Sequence, residues 1–317
     1  MTYTRFFIVV VILFTLAGEQ VFGAIDCAEF KVYTMGSPDD KYCGYERQLP
    51  WVAYGGTWGS TFRWSNTKVD NTKPGGVTVV VTILGTDGKW TTKDPYIRDN
   101  RAPSVVVSPS IYYPLMPGES VEMELMYPGL LENKQWSPDP GTLAVGSILV
   151  LYTALDPEYL RGLPPSSLSF LEKDSSGGFL RNATEIETEP SEYWKAQFSE
   201  TFDCSANWQT ARRTSAAISN PTSVPIFVDI TLNNQRGEFV ATLGYYLQPL
   251  ETKAFLFRDI FGDRMFPGGK DFTGTVTLSR REWSVLNPGS YQGTNFTIFQ
   301  TVSGSMGNLP ATRVMRP

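Results

Sequence analysis

The chain predicts an all-β fold: two antiparallel β-sandwich domains, Ig-like or jelly-roll-like, related by an internal duplication. Three observations carry that expectation. Val77 to Trp90 alternates with period two, with Val77, Val79, Val81 and Ile83 on one side and Thr78, Val80 and Thr82 on the other. Its β-branched residues suit a pleated surface, and Asp87-Gly88 tolerates the positive φ of a tight hairpin turn before Trp90 begins a return strand. Ile226 to Phe239 repeats the device without a gap: Ile226, Val228, Ile230 and Leu232 take the apolar places, Gly237 that of Gly88 and Phe239 that of Trp90. Helical periodicity stays weak throughout, while short strand patterns recur between turn signals.

Taken in order, residues 1–23 read as a secretory signal peptide. Arg5 supplies the positive end, Phe6 to Ala17 the apolar stretch, and Val21-Phe22-Gly23 the compact residues before cleavage. That apolar stretch is too short to span about 30 Å of hydrocarbon. Asp26 is wrong for a lipidated Cys27, and Arg313 stands where a sortase signal needs Gly, so a soluble exported chain is expected. Residues 24–50 form a Cys-bearing lead-in. In an oxidising compartment Cys27 and Cys43 are the natural pair, closing a loop worth about 3 kcal/mol in the chain-entropy model, with Cys204 left as a buried thiol.

Residues 51–171 make the first sandwich. Trp58, Ser60, Phe62 and Trp64 share one face of a strand, and Ser65-Asn66-Thr67 opens a loop before the Val77 hairpin. Ile111–Leu115 and Ser120–Leu125 follow across the turn Met116-Pro117-Gly118, then the Pro-rich loop 136–141 and an apolar run from Leu143 to Tyr152. Residues 172–195 read as a solvated linker, through Ser175-Ser176-Gly177-Gly178 and the acidic run Glu185 to Pro190.

Residues 196–317 replay the order. Trp208 answers Trp58, Ser219-Asn220-Pro221 answers Ser65-Asn66-Thr67, and Tyr245-Tyr246 answers Tyr112-Tyr113. Pro249-Leu250-Glu251 then answers Pro117-Gly118-Glu119, and Gly274 to Leu278 answers Gly146 to Val150, before a closing strand, Asn295 to Val302.

Several chemistries are excluded. The chain holds no histidine, which removes Ser-His-Asp and Cys-His activation and His-ligated zinc. No phosphate loop or dinucleotide fingerprint occurs, so no cofactor and no metal are expected. A net charge of −5 with no basic run argues against nucleic acid. Carboxylate-only glycoside chemistry survives, with Glu122, Glu124, Asp229 and Glu282 as candidates, though alternating acids usually mark a solvated strand face. Trp58, Phe62, Trp64, Tyr112 and Tyr113 are either core or an exposed strip for stacking on sugar rings, and their exposure decides which. Asn182-Ala183-Thr184 and Asn295-Phe296-Thr297 fit the N-glycosylation pattern, relevant only in a eukaryotic host.

Gly55-Gly56-Thr57-Trp58, Ser219-Asn220-Pro221, Leu247-Gln248-Pro249-Leu250-Glu251 and Phe272-Thr273-Gly274-Thr275-Val276, in that order, resemble secreted bacterial tandem β-sandwich repeat proteins of the acidobacterial type. The resemblance implies an exported sandwich and no catalytic residues. The resulting expectation is a non-catalytic structural or adhesive module outside the cytoplasmic membrane. Its partner would be a polysaccharide or another extracellular or envelope polymer or protein, with carbohydrate binding through an aromatic strip as the alternative.

Overall fold

A computed structural model describes residues 26–27, 29–35, 40–67, 76–91, 95–101, 106–126, 143–173, 179–204, 211–281, 293–302, 305–309 and 312–313. The leader 1–23, the loop 136–141, Ser175 to Gly178, Trp208 and Glu282 lie outside these residues. The regular secondary structure of the described residues is almost entirely antiparallel strand.

In the first half, one five-stranded sheet has the order β1(Lys31–Thr34), β2(Lys41–Tyr54), β9(Ala144–Ala154), β4(Val77–Gly85), β7(Ser110–Leu115). Its partner sheet has the order β11(Phe179–Ile186), β10(Ser167–Lys173), β3(Trp58–Ser65), β8(Ser120–Met126), β5(Tyr96–Asp99), β6(Val106–Val107). Between them lie Val79, Val81, Ile148 and Val150 from one sheet and Phe62, Trp64, Met123, Leu168 and Phe170 from the other, all buried. The second half has β15(Phe239–Leu247), β14(Ile226–Asn234), β17(Phe272–Arg280), β12(Tyr193–Glu200), β20(Thr312–Arg313) facing β16(Thr252–Leu256), β13(Arg212–Ser219), β18(Asn295–Val302), β19(Ser305–Leu309). A short helix, α1(Phe257–Phe261), follows β16.

The duplication is written into this topology. The order β2-β9-β4-β7 recurs as β12-β17-β14-β15, and β11-β10-β3-β8 as β19-β18-β13-β16. Register agrees residue by residue: Ile83 opposes Ile148 and Gly85 opposes Gly146, as Leu232 opposes Val276 and Asn234 opposes Gly274. Asn66 and Asn220 do the same work. Each backbone N–H donates to the carbonyl of the turn's Glu, Glu119 or Glu251, and each side-chain amide donates to the last carbonyl of the preceding strand, Leu115 or Leu247. The turn's third residue has positive φ in both halves, 85° at Gly118 and 61° at Leu250.

Register also corrects three expectations. Tyr113 opposes Val79 as Tyr245 opposes Val228, so Tyr112-Tyr113 and Tyr245-Tyr246 are offset by one residue. Trp90 does not open a return strand; it makes one isolated bridge to Leu84, and the chain crosses to the other sheet as β5 and β6 before β7 pairs with β4. In the second half β15 pairs with β14 directly after the turn. Finally, the lead-in and the linker are largely strand. Residues 41–54 form β2, pinned at its start by the Cys27–Cys43 disulfide with Cα atoms 5.3 Å apart, and 172–195 contribute to β10, β11 and β12. Cys204 is free and buried.

The two halves share a buried seam built on β18. Phe296 and Ile298 face the second core, while Phe299 points the other way into the first core and meets Phe170 edge-on at 5.6 Å. The tip of the first hairpin docks on the second half's turn, where Thr252 N–H donates to the Thr86 carbonyl at 2.9 Å. A Cβ on Gly88 would fall 2.6 Å from the Pro249 carbonyl oxygen, whereas Gly237, its counterpart, faces open space. Gly88 therefore serves both the turn's positive φ and the seam.

Phe299→Ala should cost about 3–5 kcal/mol in denaturant unfolding, the range for a buried Phe. A double-mutant cycle with Phe170→Ala should return a coupling of about 0.5–1.5 kcal/mol. Strict additivity would mean that Phe299 does not complete the first core.

Candidate binding surface

The aromatic strip expected on β3 is not a surface. Strand alternation turns Phe62 and Trp64 into the first core, where the Trp64 indole N–H donates to the Pro164 carbonyl at 2.9 Å, and sends Thr61, Arg63 and Ser65 outward. Trp58 is half-buried against the same core. Tyr113 is buried and its hydroxyl donates to Asp99 Oδ2 at 3.1 Å. Tyr112, 60% exposed on the outer face of β7, is the strip's one open member. Four of these five residues therefore face the first core, and Tyr112 alone lies on an outer face. Asn295 is also buried, its amide donating to the Gln48 carbonyl at 2.7 Å, so no glycan can be carried there in the folded chain; Asn182 is exposed.

Three of the four carboxylates weighed for glycoside chemistry, Glu122, Glu124 and Asp229, are held by arginines. Arg63 donates to both oxygens of Glu122 at 2.9 and 3.3 Å, and Arg98 pairs with Glu124, on the exposed outer face of β3, β8 and β5. Among the described residues no group of three or more His, Cys, Asp and Glu converges to hold a metal ion.

What the structure does assemble lies on the outer face of the second sandwich, at the edge formed by β14 and β15. Phe227 and Tyr246 are register partners with rings 6.1 Å apart, and Tyr246 is 49% exposed. Arg281, just past β17, is fixed by a backbone bond to the Phe227 carbonyl and lays its guanidinium over the Phe227 ring at 4.8 Å. Its Nε and Nη2 donate to the two oxygens of Asp229 at 2.6 Å each, a fork-to-fork pair that raises the arginine's pKa further. Opposite Asp229 stands Gly244, and a Cβ there would reach within 2.9 Å of the Phe227 ring and 3.3 Å of Arg281 Nη2. The glycine is what lets ring, guanidinium and carboxylate lie together against the sheet. Polar side chains continue the face: Thr231 bonded to Thr242 at 2.9 Å, with Ser279, Asn233 and Thr275 beside them in register. Two aromatic rings beside oriented polar forks can stack on a flat ligand and hydrogen-bond its edge. Sequence reasoning reached Asp229 only as a candidate carboxylate and passed over Phe227 and Arg281, because strand alternation in β14 reads Phe227 simply as the outer face and Arg281 reaches both only through sheet pairing.

A second polar cluster is buried. In β11 and just after it, Glu185 and Glu187 face inward and Ile186 is 58% exposed, the reverse of the usual alternation. Glu187 Oε2 accepts from the Tyr152 hydroxyl at 2.5 Å and from the Ser166 backbone N–H and hydroxyl at 3.0 and 2.6 Å. Glu185 accepts from the Thr297 hydroxyl of β18 at 2.5 Å, across the seam. Burial pushes the Glu185 carboxyl up to about 8, opposed by its bonds from Thr297 and the Trp51 backbone. The acidic run expected to be a solvated linker is thus part of the join between the halves.

No protein-family model matches the chain, and a comparison with curated proteins finds no match. Among the described residues no helix is long and apolar enough to cross a membrane.

Because the folded pKa of Glu185 lies above its unfolded value, the folded chain holds a proton that the unfolded chain releases. Stability from this group is therefore full in acid and declines as pH rises from 4.5 to about 8. Glu185→Gln should flatten the fall of unfolding free energy with pH in that window by up to ~1.4 kcal/mol per pH unit. Parallel pH profiles for the two proteins would show that Glu185 titrates normally.

Proposed function

We propose that the protein is an exported, non-catalytic module that adheres to an extracellular or envelope polymer through a presented sandwich face. The observation that carries this reading is the Phe227–Tyr246–Arg281–Asp229 surface, an exposed aromatic and polar assembly on a rigid sheet. Its ion pair supports recognition over reaction, since an arginine-bound carboxylate is a poor base or nucleophile. The lack of histidine and the arginine-held Glu122 and Glu124 support the same view. So does the resemblance to secreted bacterial tandem β-sandwich repeat proteins. The disulfide suits an oxidising compartment, and the apolar residues 6–17 suit a cleaved leader.

Among polymers, polysaccharide is the class this face fits best. Sugar rings offer flat apolar faces for Tyr246 and a rim of hydroxyls for Arg281, Asp229 and the threonine rows. The aromatic strip first expected on Trp58, Phe62 and Trp64 plays no part in this reading.

Pull-downs on insoluble polysaccharides and envelope preparations, run beside a hydrolase screen, test it. Tyr246→Ala should weaken retention about tenfold, equivalent to ~1.4 kcal/mol, with the unfolding midpoint unchanged, and Tyr112→Ala should leave retention intact. Retention indifferent to Tyr246 would move the ligand off this face. Turnover that disappears on replacing a single carboxylate would overturn the non-catalytic reading.

A further inference from the structure

Besides Glu185 Oε2, four buried side-chain oxygens lie at the seam with no hydrogen-bond partner among the described residues: Gln48 Oε1, Asn295 Oδ1, Ser219 Oγ and Thr252 Oγ1. All four residues are essentially fully buried. Sheet register brings three of them together, since Ser219 opposes Asn295 on one side and Thr252 on the other, all on the same face. Gln48 reaches them from the first half: its carbonyl receives Asn295 Nδ2 at 2.7 Å, and its Nε2 donates to Leu250 O at 3.1 Å, two residues before Thr252. Both amides are therefore fixed in orientation, because a backbone carbonyl can only accept, and each amide oxygen must point the other way. A second bond from Gln48 Nε2, to Ser147 Oγ at 2.8 Å, holds that orientation further.

We propose that this cluster is a built hydration site, in which buried water joins the two sandwiches into one rigid body. Donor and acceptor counting selects the ligand. The two amide oxygens only accept, and the two hydroxyls can each donate. A water molecule donates twice and accepts twice, which matches that set and falls within the two to four partners a buried water takes. A divalent cation wants carboxylates among its oxygen ligands, and these four oxygens include none. Leu250 supplies a further sign that the place is specified. It is the described chain's non-glycine residue of positive φ, at 61°, and its carbonyl is the one that anchors Gln48. The turn holds a disfavoured backbone where the seam uses it.

A high-resolution crystal structure of the full chain, grown in potassium chloride and soaked in thallium acetate, tests the site. Expected is ordered density within hydrogen-bond distance of Gln48 Oε1 and Asn295 Oδ1 with no anomalous signal. In solution, the unfolding midpoint should be the same in sodium, potassium, calcium and choline chlorides at equal ionic strength. Asn295→Asp should lower that midpoint in every salt at neutral pH, because it adds a charge to a neutral water site. An anomalous peak, or a midpoint raised by one cation and raised further in Asn295→Asp, would replace water with a cation. Density absent, with Ser219 Oγ bonded directly to Thr252 Oγ1, would make the seam dry and end the proposal. Should Asn295→Asp fail to fold, Thr252→Val keeps the test open: it should lower the midpoint and displace or disorder the density, and density unchanged by it would also count against the site.

Discussion

Strand β18 is buried on both faces, and the architecture depends on that. An edge or outer strand of a sandwich ordinarily divides its residues between core and solvent. Here Phe296 and Ile298 fill the second core while Asn295, Thr297 and Phe299 enter the join with the first. Phe299 supplies an aromatic wall to the first core, Thr297 donates its hydroxyl to a buried glutamate, and Asn295 donates its amide to the carbonyl of Gln48. One strand thus carries a hydrophobic and a polar half of the same interface. Neither sandwich has its full set of contacts without the other.

The duplication has been kept where it supports the fold and lost on the outer faces and where one half meets the other. The Asn66 and Asn220 turn networks repeat bond for bond. On the outer faces the copies diverge. Through the shared register, Phe227, Asp229, Gly244 and Arg281 stand where the first half has Thr78, Val80, Tyr112 and Thr153. The first hairpin is broken by an excursion to the opposite sheet, while its tip, through Thr86 and Gly88, is seated on the second half's turn. Joined through the seam, the two sandwiches hold the Phe227–Tyr246–Arg281–Asp229 face in a fixed attitude to the first half. On the function proposed above, such pre-organisation would give specificity without added flexibility.

Much of the fold was legible because its signals are local. Val77 to Ile83 and Ile226 to Leu232 read as strands from period-two alternation alone, and the match of Gly146 to Val150 with Gly274 to Leu278 survives in the register. The Cys27–Cys43 pairing followed from chain proximity. The Phe227–Arg281–Asp229 face was not legible. Arg281 lies 52 residues from Asp229 in sequence, and sheet pairing alone places its guanidinium on that carboxylate.

By itself the sequence determined the strand-forming stretches, their turns and their repetition, because β-branched alternation and positive-φ turn residues act over a few residues. Tertiary structure decided which side of each strand is inside. Trp58, Phe62 and Trp64 left core and surface both open, and packing against the facing sheet buried Phe62 and Trp64. Glu185, Ile186 and Glu187 read as a solvated run, yet both glutamates are buried and the isoleucine is exposed. Their partners, Thr297 across the seam and Tyr152 and Ser166 within the first half, lie far away in sequence. A buried carboxyl needs partners that satisfy it, and only the folded chain brings them.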